Sequence, residues 1–214
     1  MEQTAGNEKH SERIFLLSPA KAGGKRHAML LRPGAQFALA MKLREGRATI
    51  GEVYSFMSAL YFRGKMAYSA AFGAVTPNKP GAAVIVPGRG LLPPETVIDI
   101  EQLMQIGEVE VADDNEHFRW PLFEAAERLD RETGGQCEFV LLGSVASRKY
   151  TAPLLAAFGE RLLFPLSFIG RGDMSRGGLM LRHANSGEEL AYGTVQGTVL
   201  RGTRPPRLGR LPKR

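Results

Sequence analysis

Four short apolar runs constrain this chain more than any other feature: 13–17 (Arg-Ile-Phe-Leu-Leu), 82–86 (Ala-Ala-Val-Ile-Val), 137–142 (Cys-Glu-Phe-Val-Leu-Leu) and 161–166 (Arg-Leu-Leu-Phe-Pro-Leu). Each is the length of a strand and rich in apolar side chains, the pattern of a strand covered on both faces. Helical patterns separate them. Strands alternating with helices predict an α/β fold, a three-layer domain with a mostly parallel central sheet. With 214 residues, 43% of them hydrophobic, the chain can bury one sizeable core, so residues 13–200 are expected to form a single domain.

Each run passes at once into small and basic residues. The first loop, 18–26, holds Ser18, Lys21 and Lys25. The second, 87–95, holds Arg89, and the third, 143–150, holds Gly143, Ser144 and Tyr150. The last, 168–178, reads Phe-Ile-Gly-Arg-Gly-Asp-Met-Ser-Arg-Gly-Gly and holds Arg171, Asp173, Ser175 and Arg176. In parallel α/β sheets ligands sit outside the carboxyl ends of the strands, so the four loops are expected to converge on an anionic ligand. Glycines let backbone N–H groups approach an anion, and arginines supply planar donors. These residues, with Arg63 from the segment Tyr61-Phe62-Arg63-Gly64-Lys65, are the candidate ligand contacts. Asp173 is the one carboxylate among the arginines. It is the candidate catalytic group, suited to activating water or stabilising a developing cation. Glu95 and Asp99 are the other carboxylates near strand ends.

Several chemistries fall away. The loop 18–26 has Pro19 where a Walker motif needs glycine and Arg26 where it needs Ser or Thr, which excludes an ATPase of that type. No serine sits in a Gly-x-Ser-x-Gly elbow. The acidic stretch 113–117 reads as a cap or a solvated loop, and no metal or cofactor is expected. Cys137 has no disulfide partner and reads as a buried thiol. No apolar run is long enough to span a bilayer, and the polar start lacks a signal-peptide core, so a cytoplasmic protein without a membrane partner is expected.

Between the strands, 34–43 and 98–106 carry helical spacing. A longer helix is expected from Thr49, with Thr49 and Glu52 placed as a capping box and a bend at Gly64. Another follows 113–117, with Pro121 near its first turn and a stop at Gly134-Gly135. A short helix is expected from Pro153 to Phe158. Beyond the last loop, 179–183 and 189–195 flank Asn185-Ser186-Gly187, the signature of a C-terminal β-hairpin. The net charge of +6 is a tail effect: Arg201, Arg204, Arg207, Arg210, Lys213 and Arg214 carry six charges, and without them 22 basic residues face 22 acidic ones. Residues 201–214 therefore read as a basic arm suited to phosphates, and 1–12 as a disordered lead-in.

The order of Ser18-Pro19 after the first strand, Leu60-Tyr61-Phe62-Arg63-Gly64-Lys65-Met66-Ala67-Tyr68, Ile85-Val86-Pro87-Gly88-Arg89-Gly90-Leu91-Leu92-Pro93-Pro94, Leu142-Gly143 with Tyr150, and Phe164-Pro165-Leu166 resembles a group of bacterial domain families that are distantly similar to the uracil-DNA glycosylase superfamily. The resemblance spans residues 13–180. It implies a three-layer α/β fold with a pocket for a nucleic-acid base or nucleoside. That superfamily carries a water-activating acid in its first loop and a His-Pro-Ser type loop late in the chain. Here 18–26 contains no acid and the late loop is 170–176, so hydrolysis would fall to a relocated carboxylate, Asp173. Two functions follow as expectations. One is a DNA glycosylase that flips a nucleotide out of the duplex and hydrolyses its N-glycosidic bond. The other is a noncatalytic module that binds nucleic acid, or a nucleotide or sugar phosphate, through the same loops, with DNA ahead of RNA as partner.

Overall fold

The structure is a computed structural model that describes residues 12–73, 80–199, 202–203, 205–206 and 208–209. The lead-in before residue 12, residues 74–79 and the tail charges Arg201, Arg204, Arg207, Arg210, Lys213 and Arg214 lie outside the described residues. In chain order the elements are β1 (Arg13–Leu17), α1 (Lys25–Leu31), α2 (Ala38–Arg44), β2 (Ala48–Thr49), α3 (Ile50–Ser58), α4 (Leu60–Phe72), β3 (Ala82–Val86) and β4 (Gly90–Leu92). They continue through β5 (Val97–Ile98), α5 (Ile100–Glu108), α6 (Glu116–Glu132), β6 (Glu138–Leu142), α7 (Arg148–Phe158), β7 (Leu162–Pro165), α8 (Asp173–Ser186) and β8 (Tyr192–Thr194).

All four apolar runs are strands of one six-stranded sheet in the order β4-β3-β1-β6-β7-β8. β3, β1, β6 and β7 are parallel, and the edge strands β4 and β8 are antiparallel. Side chains alternate between the faces, so neighbours in sequence enter different cores. Phe15, Leu17, Val84, Val86, Val140 and Leu142 pack with residues of α3, α4 and α8. Ile14, Leu16, Ala83, Ile85, Phe139 and Leu141 pack with residues of α6 and α7. Two helical layers thus cover a sheet whose central strands meet water on neither face, which is why these runs are continuously apolar. β1 leads toward β3 on one side of the sheet, while β6 leads toward β7 on the other. The divergence leaves a crevice between the carboxyl ends of β1 and β6.

Local signals account for much of the rest. Thr49 and Glu52 close the expected capping box at the start of α3, and Asp99 and Gln102 close another at α5. Asn115, at the end of the acidic loop, caps α6 by accepting from His117 N.

Three elements differ from the sequence expectation. The long helix after Thr49 breaks at Ala59, which takes φ 47° and ψ −117°, and α4 runs straight through Gly64. Gly64 is instead where α4 crosses α8: a Cβ there would stand 2.6 Å from the Gly177 carbonyl oxygen. The segment 179–183, expected as a strand, belongs to α8. The buried residues Arg176, Leu179 and Met180 have helical spacing, and Gly187 at φ 72° is the left-handed C-cap rather than a hairpin turn. The C-terminal antiparallel pairing is present with other arms, β7 and β8, in the register Leu163↔Thr194 and Pro165↔Tyr192. Lastly, the polar stretch 168–178 is irregular only up to Gly172, and Asp173 opens α8.

Candidate functional site

A cleft of about 630 Å³ opens at the crevice between β1 and β6. Three of the four strand-end loops reach it. Ser18 to Ala22 come from the first, Ser144, Lys149 and Tyr150 from the third, and Asp173 from the start of α8. Tyr61 of α4 and residues 107–111, at and beyond the end of α5, complete the wall.

Two close approaches build this geometry. A Cβ at Gly143 would lie 2.9 Å from Ser18 Cβ, so the glycine lets the β6 loop run directly against the β1 loop and sets Ser144 beside Ser18. At the α4–α8 crossing a Cβ on Gly177 would stand 2.7 Å from the Leu60 carbonyl oxygen. Backbone-to-backbone contact there brings Tyr61 and Lys65 of α4 alongside Asp173 and Arg176 of α8.

Lys65 is 1% exposed, and its Nζ donates to Ser18 O at 2.8 Å and Ser18 Oγ at 2.7 Å. The same nitrogen lies 3.9 Å from the centre of the Tyr61 ring. Among the described residues no carboxylate is within ion-pairing distance of it. Burial pushes its pKa down to about 7, with Asp173 working against that fall and Arg176 with it. Tyr61 is 7% exposed, and its buried hydroxyl lies beside Ser18 and Arg176 without a hydrogen bond within 3.5 Å among the described residues. Burial raises its pKa to about 12, so it stays a proton donor.

The expected contacts separate into groups. Ser18, Lys21, Ser144, Tyr150 and Asp173 line the cleft. Gly143 and Arg176 stand behind it. The buried Arg176 guanidinium donates from Nε and Nη2 to Phe168 O, at 3.3 and 3.1 Å, and Nη1 lies 3.6 Å from Asp173 Oδ1. Arg171 donates to Ser167 O at 2.9 Å, to Ser175 Oγ at 3.2 Å and to Pro206 O at 3.4 Å, so it ties the α8 approach and the C-terminal segment together beside the cleft. Lys25 borders a separate hollow with His27 and Met29, and Arg63 another with Arg26 and Phe56.

Arg89 donates to Gln105 Oε1 at 2.9 Å on the outer surface. Its loop stays clear of the cleft because 86–90 closes a tight antiparallel turn into β4, with Gly88 and Gly90 at φ 73° and 77°. Glu95 is exposed, and the Asp99 side chain is occupied in capping α5.

The lining is not the arginine nest that the loops suggested. Lys21 and Lys149 line the cleft together with Glu108, Glu110 and Asp173, and Tyr61 and Tyr150 complete the lining. Glu108 and Glu110 come from beyond a helix end with no motif of their own. Lys149 stood in the third loop as one base among several, and only the fold separates it from the bases that point elsewhere. No family model, curated protein or solved structure matches the chain, so the reading of this cleft stands on its own geometry.

Proposed function

We propose that the cleft holds one nucleotide of a nucleic-acid strand, with DNA ahead of RNA. The observation that carries this reading is the meeting of three strand-end loops in one cleft at the sheet's switch point, where α/β sheets bind nucleotides. Tyr61 and Tyr150 give the cleft an aromatic edge, and Lys21 and Lys149 offer ammonium groups for the flanking phosphates. Glu108, Glu110 and Asp173 offer acceptors for the base edge or the sugar hydroxyls.

Base removal by Asp173 is the weaker part of the sequence expectation. Its side chain is 67% exposed at the rim, where solvent screens charge, while the enclosed chemistry lies at Ser18 and Lys65.

The test is fluorescence anisotropy with a labelled single-stranded oligonucleotide at low salt. Binding should weaken as salt rises, and Lys21→Glu with Lys149→Glu should lower affinity at least about 10-fold. No binding at low salt, or equal binding by the double variant, would remove the proposal. Mass spectrometry of the same oligonucleotide tests base removal directly: abasic product that disappears in Asp173→Asn would restore Asp173 as the reacting group.

A further inference from the structure

The floor of the cleft carries groups that strand binding does not require. An unpaired buried lysine is unfavourable for a fold, and Lys65 directs both of its hydrogen bonds to a single residue, Ser18. Ser18 is itself 4% exposed and lines the cleft, and its hydroxyl holds the amine at 2.7 Å. Tyr61 borders the same floor, 7% of the residue being exposed, and its buried hydroxyl lies beside Ser18 and Arg176.

We propose that Ser18 is a nucleophile, Lys65 the base that takes its proton and Tyr61 the donor to the charge that develops, and that together they hydrolyse a phosphate ester of the nucleotide held in the cleft. Only the identity of the substrate rests on the nucleotide reading. The ammonium form donates to both Ser18 O and Ser18 Oγ, and on losing a proton the amine turns its lone pair to Ser18 Oγ–H over the same 2.7 Å while keeping a hydrogen on Ser18 O. The groups facing this amine are Ser18 after β1, Tyr61 and Phe62 on α4, and Asp173 and Arg176 on α8. Burial brings its pKa to about 7, which makes the base form available at neutral pH.

In the first step Ser18 Oγ attacks phosphorus and its proton passes to Lys65 Nζ. The bond from phosphorus to the leaving alcohol breaks on the opposite side, and that oxygen takes a proton from solvent water. In the second step solvent water attacks the phosphoserine from the side the alcohol left, giving up its proton to solvent. The Ser18 Oγ–P bond breaks, and Oγ recovers its proton from Lys65 Nζ. The Tyr61 hydroxyl donates to the non-bridging oxygen on which charge collects in both steps.

Treatment of the protein with an alkyl fluorophosphonate, whose phosphorus takes a serine oxygen and releases fluoride, tests the pair without knowledge of the natural substrate. Mass spectrometry should find one adduct, on Ser18, forming faster as pH rises from 6 to 8. Ser18→Ala should abolish it, and Lys65→Met should slow it about 100-fold or more. Tyr61→Phe keeps the ring and removes only the hydroxyl beside Ser18 and Arg176, so it should stay folded and slow labelling at least about 10-fold. No adduct on Ser18 of the folded protein at pH 8 overturns the proposal, as does wild-type labelling of a folded Lys65→Met. Should Lys65→Met not fold, wild-type labelling of Tyr61→Phe overturns the constellation instead.

A saturating single-stranded oligonucleotide should block the adduct. Full labelling in its presence sinks the nucleotide reading while the Ser18–Lys65 pair stands. Bis(4-nitrophenyl) phosphate should release nitrophenol; release from 4-nitrophenyl acetate alone would overturn the phosphate-ester assignment.

Discussion

Lys65 makes the stability of the protein depend on pH in a defined direction. Its pKa is about 7 in the fold against the ordinary 10.5, so between those values the unfolded chain binds more protons than the native one. Stability should therefore rise with pH from about 7 toward 10, by at most about 1.4 kcal/mol per pH unit, and level off below about 7, where both states hold the proton. Urea midpoints at pH 6, 7.5 and 9 measure this. Lys65→Met should flatten the profile, and an unchanged slope in that variant would assign it to other groups. The sequence places Lys65 among aromatic residues but does not reveal its partner. Ser18 lies 47 residues away, and nothing in either neighbourhood encodes the contact.

Elements show the same division between local and remote causes. The capping box at α3 is legible because cap and partner lie three residues apart; the Asp99–Gln102 box at α5 has the same spacing, but Asp99 reads there as a strand-end carboxylate. The break at Ala59 is not legible, since alanine carries no signal for φ 47°. A glycine there removes the Cβ strain, so Ala59→Gly should raise thermal stability by about 1 kcal/mol. The α4–α8 crossing makes the opposite demand. Gly64→Ala drives a methyl into the Gly177 backbone and should destabilise by about 1–3 kcal/mol in chemical denaturation. Because the crossing also positions Tyr61 and Lys65, oligonucleotide affinity should fall in the same variant. Wild-type affinity would separate the crossing from the site. Gly64 is visible in the sequence as a glycine within a helical pattern, which reads as a bend, and only the facing Gly177 shows that it is a contact. The stretch 179–187 reads as a hairpin for a related reason: Asn-Ser-Gly suits a hairpin turn as well as a helix C-cap, and packing on α4 decides for the helix.

For the whole molecule, the cleft is a product of strand order. The pattern of apolar runs and helices predicts a parallel sheet but leaves open which strands are neighbours. With β1 between β3 and β6, the first and third loops touch, α8 brings in Asp173, and the second loop turns away into β4. The basic tail belongs to this scale as well. Its described parts lie against the α8 region, with Leu208 packed on the core, Arg171 donating to Pro206 O and Arg182 to Gly209 O. If the tail contacts phosphates, replacing Arg204, Arg207 and Arg210 with glutamine should lower the slope of log affinity against log salt by about 2 on a single strand. An unchanged slope would leave binding to the cleft alone.

By itself the sequence determined the four buried strands, the α3 capping box and the α/β layering. These depend on apolar patterning and on hydrogen bonds that close within a few residues. Tertiary structure alone decided which loops share a cleft, which bases line it and that Ser18 meets Lys65. Those outcomes depend on sheet order and on a glycine-to-glycine helix crossing between residues 64 and 177, distances over which a linear pattern carries no information about contact.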